Sequence, residues 1–138
     1  MTPSVIKRAL MALMLPAGAW AADCQMLEDL TSYEATTQVP EGATCAPYLT
    51  LTGQGAVSCH WAFGFRDTAA KTWAETLWAT LTTCHAGAPL APDLRVNHPD
   101  SYDLREWVVG QDVYRVSVKD KSGQDRTLVF LRFEPQPN

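Results

Sequence analysis

CHWAFGFRDTAAKTWAETLWATLTTCH, residues 59–85, holds two periodicities in one run, and they set the architecture. Read back to Ala56, the first part has a period of two. Val57, Cys59, Trp61, Phe63 and Phe65 fall on one face, and Ser58, His60, Ala62 and Gly64 on the other. That is the pattern of a half-buried strand. From Thr68 the period becomes helical. Ala70, Trp73, Leu77, Leu81 and Cys84 lie within about 80° of one another at ~100° per residue. Asp67 is placed to cap the helix start, and Gly87 and Pro89 to stop it after His85.

The run opens and closes on Cys-His, which poses a choice between a metal site and a staple. Alternation along a strand sends Cys59 and His60 to opposite faces. Zinc sites space their ligands at least two residues apart. The reading is therefore a disulfide, with no metal. The strand from Cys59 to Arg66 rises ~23 Å at ~3.3 Å per residue. The helix from Thr68 to Cys84 rises ~24 Å at ~1.5 Å per residue. A helix folded straight back returns Cys84 to Cys59. The expectation is Cys59–Cys84 and, by elimination, Cys24–Cys45. His85 has a simpler role, a cation at a helix C-terminus.

Working outward, Asp23 to Glu34 reads as a short helix with Leu27, Leu30, Met26 and Tyr33 inward. Residues 35–47 read as a loop. Tyr48 to Thr52 is a strand, joined through Gly53-Gln54-Gly55 to the strand at 56–65 as a hairpin. Residues 86–101 form a Pro-rich connection, long enough to be a functional loop. Three strands follow. Tyr102 to Val109 turns at Gly110-Gln111. Asp112 to Lys119 alternates, with Tyr114, Val116 and Val118 on one face and Arg115, Ser117 and Lys119 on the other. Arg126 to Phe133 is apolar on both faces in part and belongs at the sheet centre. The expected fold is α+β: a single, mainly antiparallel sheet of about five strands in α-β-β-α-β-β-β order. One long helix packs on a face, and two disulfides brace it.

Residues 1–21 read as a secretory signal peptide. Lys7 and Arg8 precede a short apolar core, and Ala19-Trp20-Ala21 fits the cleavage rule. Residues 22–138 then form one domain, soluble after cleavage, in the periplasm or secreted. Asp23 before Cys24 does not suit lipid attachment, and no segment reaches the ~20 apolar residues of a membrane span. The chain carries 11 basic and 15 acidic residues. Losing Lys7 and Arg8 leaves nine against fifteen, a formal −6. An acidic domain argues against nucleic acid and anionic membrane as partners. Four cysteines in an oxidising compartment read as two disulfides.

Catalytic signals are sparse, and no cofactor motif is present. Asn97-His98-Pro99-Asp100-Ser101 contains His, Asp and Ser, but triad members converge from separate elements, whereas these are turn residues. Residues 120–125 lack the spacing of a calcium loop. The functional expectation is a small non-enzymatic exported domain binding another protein or an envelope component. Its sharper form is an inhibitor or immunity protein against an exported toxin or hydrolase. The alternatives are a small hydrolase using His98 and Asp100, and a metal carrier using His60, His85 and His98. Candidate interaction residues are His98, Asp100, Trp78, Trp107 and His60. The two tryptophans lie off the apolar stripe or at a strand end, where aromatic anchors would be exposed.

Overall fold

The structure is a computed structural model, and it describes residues 18–90 and 102–136. Helix α1 spans Gly18–Thr31 and is followed by the single turn α2, Tyr33–Thr36. Strands β1 (Thr44–Leu49) and β2 (Gly55–Gly64) form the first hairpin, and α3 (Thr68–Cys84) follows. Then come β3 (Ala88–Pro89), β4 (Tyr102–Val109), β5 (Asp112–Lys121) and β6 (Arg126–Glu134). The strands form one antiparallel sheet in the order β1-β2-β6-β5-β4-β3. The α+β reading holds, with six strands rather than five. The additional one, β3, is two residues long and lies in what reads as a loop.

Helix and strand follow their periodicities. Val57, Cys59 and Trp61 are buried on one face of β2. Asp67 caps α3, its carboxylate accepting from the Ala69 amide at 2.9 Å. Ala70, Leu77 and Leu81 are buried along the expected stripe. On α1, Leu27 and Leu30 enter the same core, with Met26 and Tyr33 packed at its margin. Strand β6 is central, and Val129, Leu131 and Phe133 form the middle of the core floor.

The disulfide pairing differs from the expected one. The bonds are Cys24–Cys84 and Cys45–Cys59, not Cys59–Cys84 and Cys24–Cys45. Two displacements explain this. First, β1 begins at Thr44 rather than Tyr48, so Cys45 is in the strand and directly opposite Cys59. Their Cα atoms are 4.1 Å apart, the close spacing of a non-hydrogen-bonded pair. Second, α3 does not fold straight back over β2. It lies mainly over β6 and β5, where the apolar floor is widest. Its C-terminal end carries His85 onto Tyr114 of β5, rings stacked at 5.5 Å. The space above β2 is taken partly by α1, which brings Cys24 to Cys84.

A second lock fixes where α3 starts. Arg66, in the turn after β2, has a left-handed backbone (φ 55°). Its amide donates to Thr127 Oγ1 at 2.8 Å, and that hydroxyl donates to buried Asp120 at 2.7 Å. Arg66 Nε completes the set on Asp120 at 3.3 Å. The turn is thus tied to β5 and β6.

Both sheet edges are blunted. The backbone polar groups of Cys45, Pro47 and Leu49 point away from β2, and Pro47 has no N–H to offer there. The Tyr33 hydroxyl donates to the Cys45 carbonyl at 3.4 Å. The other edge is the short, proline-bearing β3.

Candidate functional site: the open face of the sheet

The three helices share one face of the sheet. Among the described residues no helix or strand lies on the other. Strand parity puts alternate residues of β1, β2, β4, β5 and β6 there, and register sorts them into two polar clusters with an apolar strip between.

The first cluster centres on Arg115. Its Nε donates to Glu106 at 3.2 Å, and its Nη1 pairs closely with Glu134. Glu134 also accepts from the Tyr48 hydroxyl at 2.6 Å. Arg132 is directly opposite Arg115 across β5–β6. Its guanidinium lies 5.0 Å from the Phe130 ring centroid and 5.9 Å from that of Tyr48, and Nε donates to Ser58 Oγ at 3.2 Å. Here the like charges are neutralised by carboxylates on both sides. Burial alone would raise the Glu134 carboxyl. The Tyr48 hydroxyl and the Arg115 guanidinium outweigh it and hold the group below the usual carboxylate range. Burial and the Glu134 carboxylate drive the Tyr48 hydroxyl upward. Burial opposes the charge on Arg115, and its two carboxylates more than restore it.

A pH dependence follows. An unfolded Glu protonates near pH 4.3, whereas folded Glu134 protonates at lower pH. As the pH falls, the unfolded chain takes up this proton first. The stabilisation is therefore complete above about pH 4.3 and is lost as the pH drops through the folded value. In urea melts, Glu134→Gln loses stability at pH 7, and its remaining stability falls less between pH 5 and pH 3 than the wild type's does. Parallel pH profiles would remove Glu134 as the titrating group.

Beside this cluster is a cleft of about 370 Å³, lined by residues 48–52, Arg115, Glu134 and Gln136. Its rim carries Leu49 and Leu51, both largely exposed at the hairpin tip. The cleft's charged groups are already satisfied by one another, which suits a wall of a binding surface better than a reacting centre.

The second cluster is at the opposite end. Lys121 is directly across from Arg126, and Lys119 across from Leu128. Arg126 Nε donates to Gln124 Oε1 at 2.8 Å. No carboxylate of the described residues lies within 4 Å of Lys119, Lys121 or Arg126. Between the clusters run His60, Phe130, Leu128 and Leu104. The His60 and Phe130 rings are tilted together at 5.6 Å. Burial, then the charge of Arg126, pushes the His60 imidazole below its ordinary value.

The residues singled out from sequence are placed as follows. His60 is on this open face. Trp78 and Trp107 are on the covered one, packed edge to face at 5.7 Å. Trp107 Nε1 donates to the His85 carbonyl at 3.2 Å, and Arg105 lies over the Trp78 ring. They seat α3 against β4, both half-buried. His98 and Asp100 lie outside the described residues. His60 and His85 are on opposite faces of the sheet and do not converge on one ion. All four cysteines are bonded, and no metal-binding cluster occurs among the described residues. No described helix is long and apolar enough to cross a membrane. The two disulfides are consistent with an extracellular location.

Sequence reading missed Arg132, Arg126, Lys121, Glu134 and Tyr48. Alternation in β5 did mark Arg115 and Lys119 as outward. Their convergence with groups on β1, β4 and β6 depends on strand order and register, which alternation does not carry. Comparison of the chain with family models, with curated proteins and with solved structures finds no match.

Proposed function

We propose that this protein is an exported, non-catalytic binding domain of the cell envelope that engages another protein through the open face of its sheet. The observation that carries this reading is the contrast between the two faces. One is covered by disulfide-braced helices. The other, which no helix or strand of the described residues covers, presents a half-buried charged surface around Phe130. A sheet of this width ordinarily buries one face and leaves the other to solvent or a partner. Five of the basic residues (Arg115, Lys119, Lys121, Arg126 and Arg132) stand on the open face against two acidic ones, Glu106 and Glu134. The acidic character of the chain therefore belongs to the rest of its surface. The signal-like N-terminus and the two disulfides support export.

The test is site-specific photo-cross-linking in the native host. A benzophenone side chain at Ala62 probes the open face, and one at Thr72 the exposed side of α3. The expected result is a discrete adduct from Ala62 and none from Thr72, on a protein whose mature N-terminus is Ala22. Adducts from Thr72 alone would refute the assignment of the face.

A further inference from the structure

We infer that the open face recognises an extended, acidic protein segment in which carboxylates alternate with apolar side chains, held by Lys119, Lys121 and Arg126 beside the Phe130–Leu128 strip. The inference rests on the proposed docking face and adds the chemistry of its occupant.

The argument begins with a cost. Like charges placed directly opposite on neighbouring strands are destabilising. The open face holds two such pairs, Arg115–Arg132 and Lys121–Arg126. At the first, Glu106 and Glu134 offset the repulsion. At the second, no carboxylate of the described residues stands within 4 Å, and Lys119 adds a third cation. Among the described residues the partner of Arg126 is a neutral amide, that of Gln124. An uncompensated cationic corner on an acidic protein is complementary to an anion brought from outside.

The strip beside it narrows the class of partner. Leu128 is 5 % exposed and Phe130 half-buried, so Phe130 carries the accessible apolar surface of the strip. Arg132 covers one approach to the Phe130 ring, and His60 tilts against it. A sugar ring stacking on an aromatic platform finds no free platform here. Apolar side chains interleaved with carboxylates match both features. Four inter-strand steps from β1 to β4 span about 19 Å at ~4.8 Å each. That is the length of about six extended residues at ~3.3 Å apiece.

The experiment uses the mature, disulfide-bonded protein and a synthetic octapeptide alternating Glu with Leu and Phe. Its Gln-for-Glu counterpart is the control. Binding is read by amide chemical shifts at low salt. The Glu peptide should shift open-face amides of β5 and β6, and the control should not. Lys121→Gln with Arg126→Gln should weaken binding at least about tenfold, because both charge contacts are removed. The same double variant should melt no lower than wild type, since the cross-strand repulsion goes with the charges. That second readout separates lost recognition from lost folding. Unchanged peptide affinity in the double variant would overturn the inference. So would an inert peptide, whether phosphatidylglycerol vesicles or dextran sulfate bind through the same two residues instead, or sedimentation shows a self-associated protein that they dissociate. Adducts from Ala62 with an inert peptide would leave the docking face standing and remove only its acidic-segment chemistry.

Discussion

Replacing Cys24 and Cys84 by serine lowers the stability of the fold by about 4 kcal/mol, and replacing Cys45 and Cys59 by about 3 kcal/mol, in the chain-entropy account of cross-links. The ordering comes from the spans closed, 60 residues for the first bond and 14 for the second. The packing reinforces it. Cys45 and Cys59 are partners in a hairpin that hydrogen bonds already align. Cys24 is in α1, a helix whose isolated stability is marginal. Its bond to α3 holds Leu27 and Leu30, each 1 % exposed, in the core. Urea unfolding of the two double variants checks this, with loss of α1 helicity expected only in the first. A larger loss from the hairpin bond would mean that loop span is not the controlling quantity. The pairing itself needs a suitable protease. No Lys or Arg lies between Cys24 and Cys59, so trypsin leaves three cysteines on one fragment. Cleavage after Glu28, Glu41, Glu75 and Glu106 separates the cases. The pairing in the structure gives the Cys24 fragment joined to the Cys84 fragment, with Cys45 and Cys59 looped within a third. The straight-fold-back pairing would tie all three together.

What the sequence makes legible here is local. The α3 stripe, its Asp67 cap and the two-faced β2 follow from side-chain periodicity, because each face is decided by a contiguous run. The central position of β6 follows from apolar residues on both its faces. Legibility ends where distance along the chain becomes large. The expected Cys59–Cys84 bond treated β2 and α3 as a closed unit. In the fold β6, arriving some sixty residues later, pairs beside β2 and moves the apolar centre sideways, and the helix follows it. Thr44 to Pro47 carries little strand signal: a cysteine, a proline and small residues on an edge. It is a strand because β2 is its template, and that shift is what aligns Cys45 with Cys59. The candidate site suffers from the same limit. Lys121 and Arg126 flank a Ser-Gly turn and read as ordinary hairpin polarity. Their confrontation across β5–β6, and the absence of a neutralising carboxylate among the described residues, exist only once register is known. Net charge misleads in a related way, since −4 over the whole chain conceals a face that is positive.

The same asymmetry predicts that two leucines on one strand respond differently to truncation. Leu131→Ala should cost about 3–4 kcal/mol, within the range for buried leucines. Leu131 is fully buried on the core face of β6, between Cys59 of β2 and Val116 of β5, in the cluster that includes Leu77 and Leu81 of α3. Rigid neighbours on three sides cannot collapse into the space left, so transfer and cavity terms add. Leu128→Ala should cost only about 1–2 kcal/mol. Leu128 is 5 % exposed, but it points to the open face, between Ala62 of β2 and Lys119 of β5. Of these neighbours Ala62 offers only a methyl, and the long Lys119 side chain can relax into part of a vacancy. Chemical denaturation of the two variants reads the difference. Equal, large losses would show that the open face is packed as tightly as the covered one, leaving no surface for a partner. If the difference stands, the roles reverse in binding. Phe130→Ala, on the same open face and half-buried rather than sealed, should weaken the acidic peptide at least about threefold, since the contact it loses is apolar. Leu131→Ala should leave the affinity of its folded fraction unchanged. Stability and recognition then separate onto opposite sides of a single strand, as a sheet with one face packed and the other reserved for a partner requires.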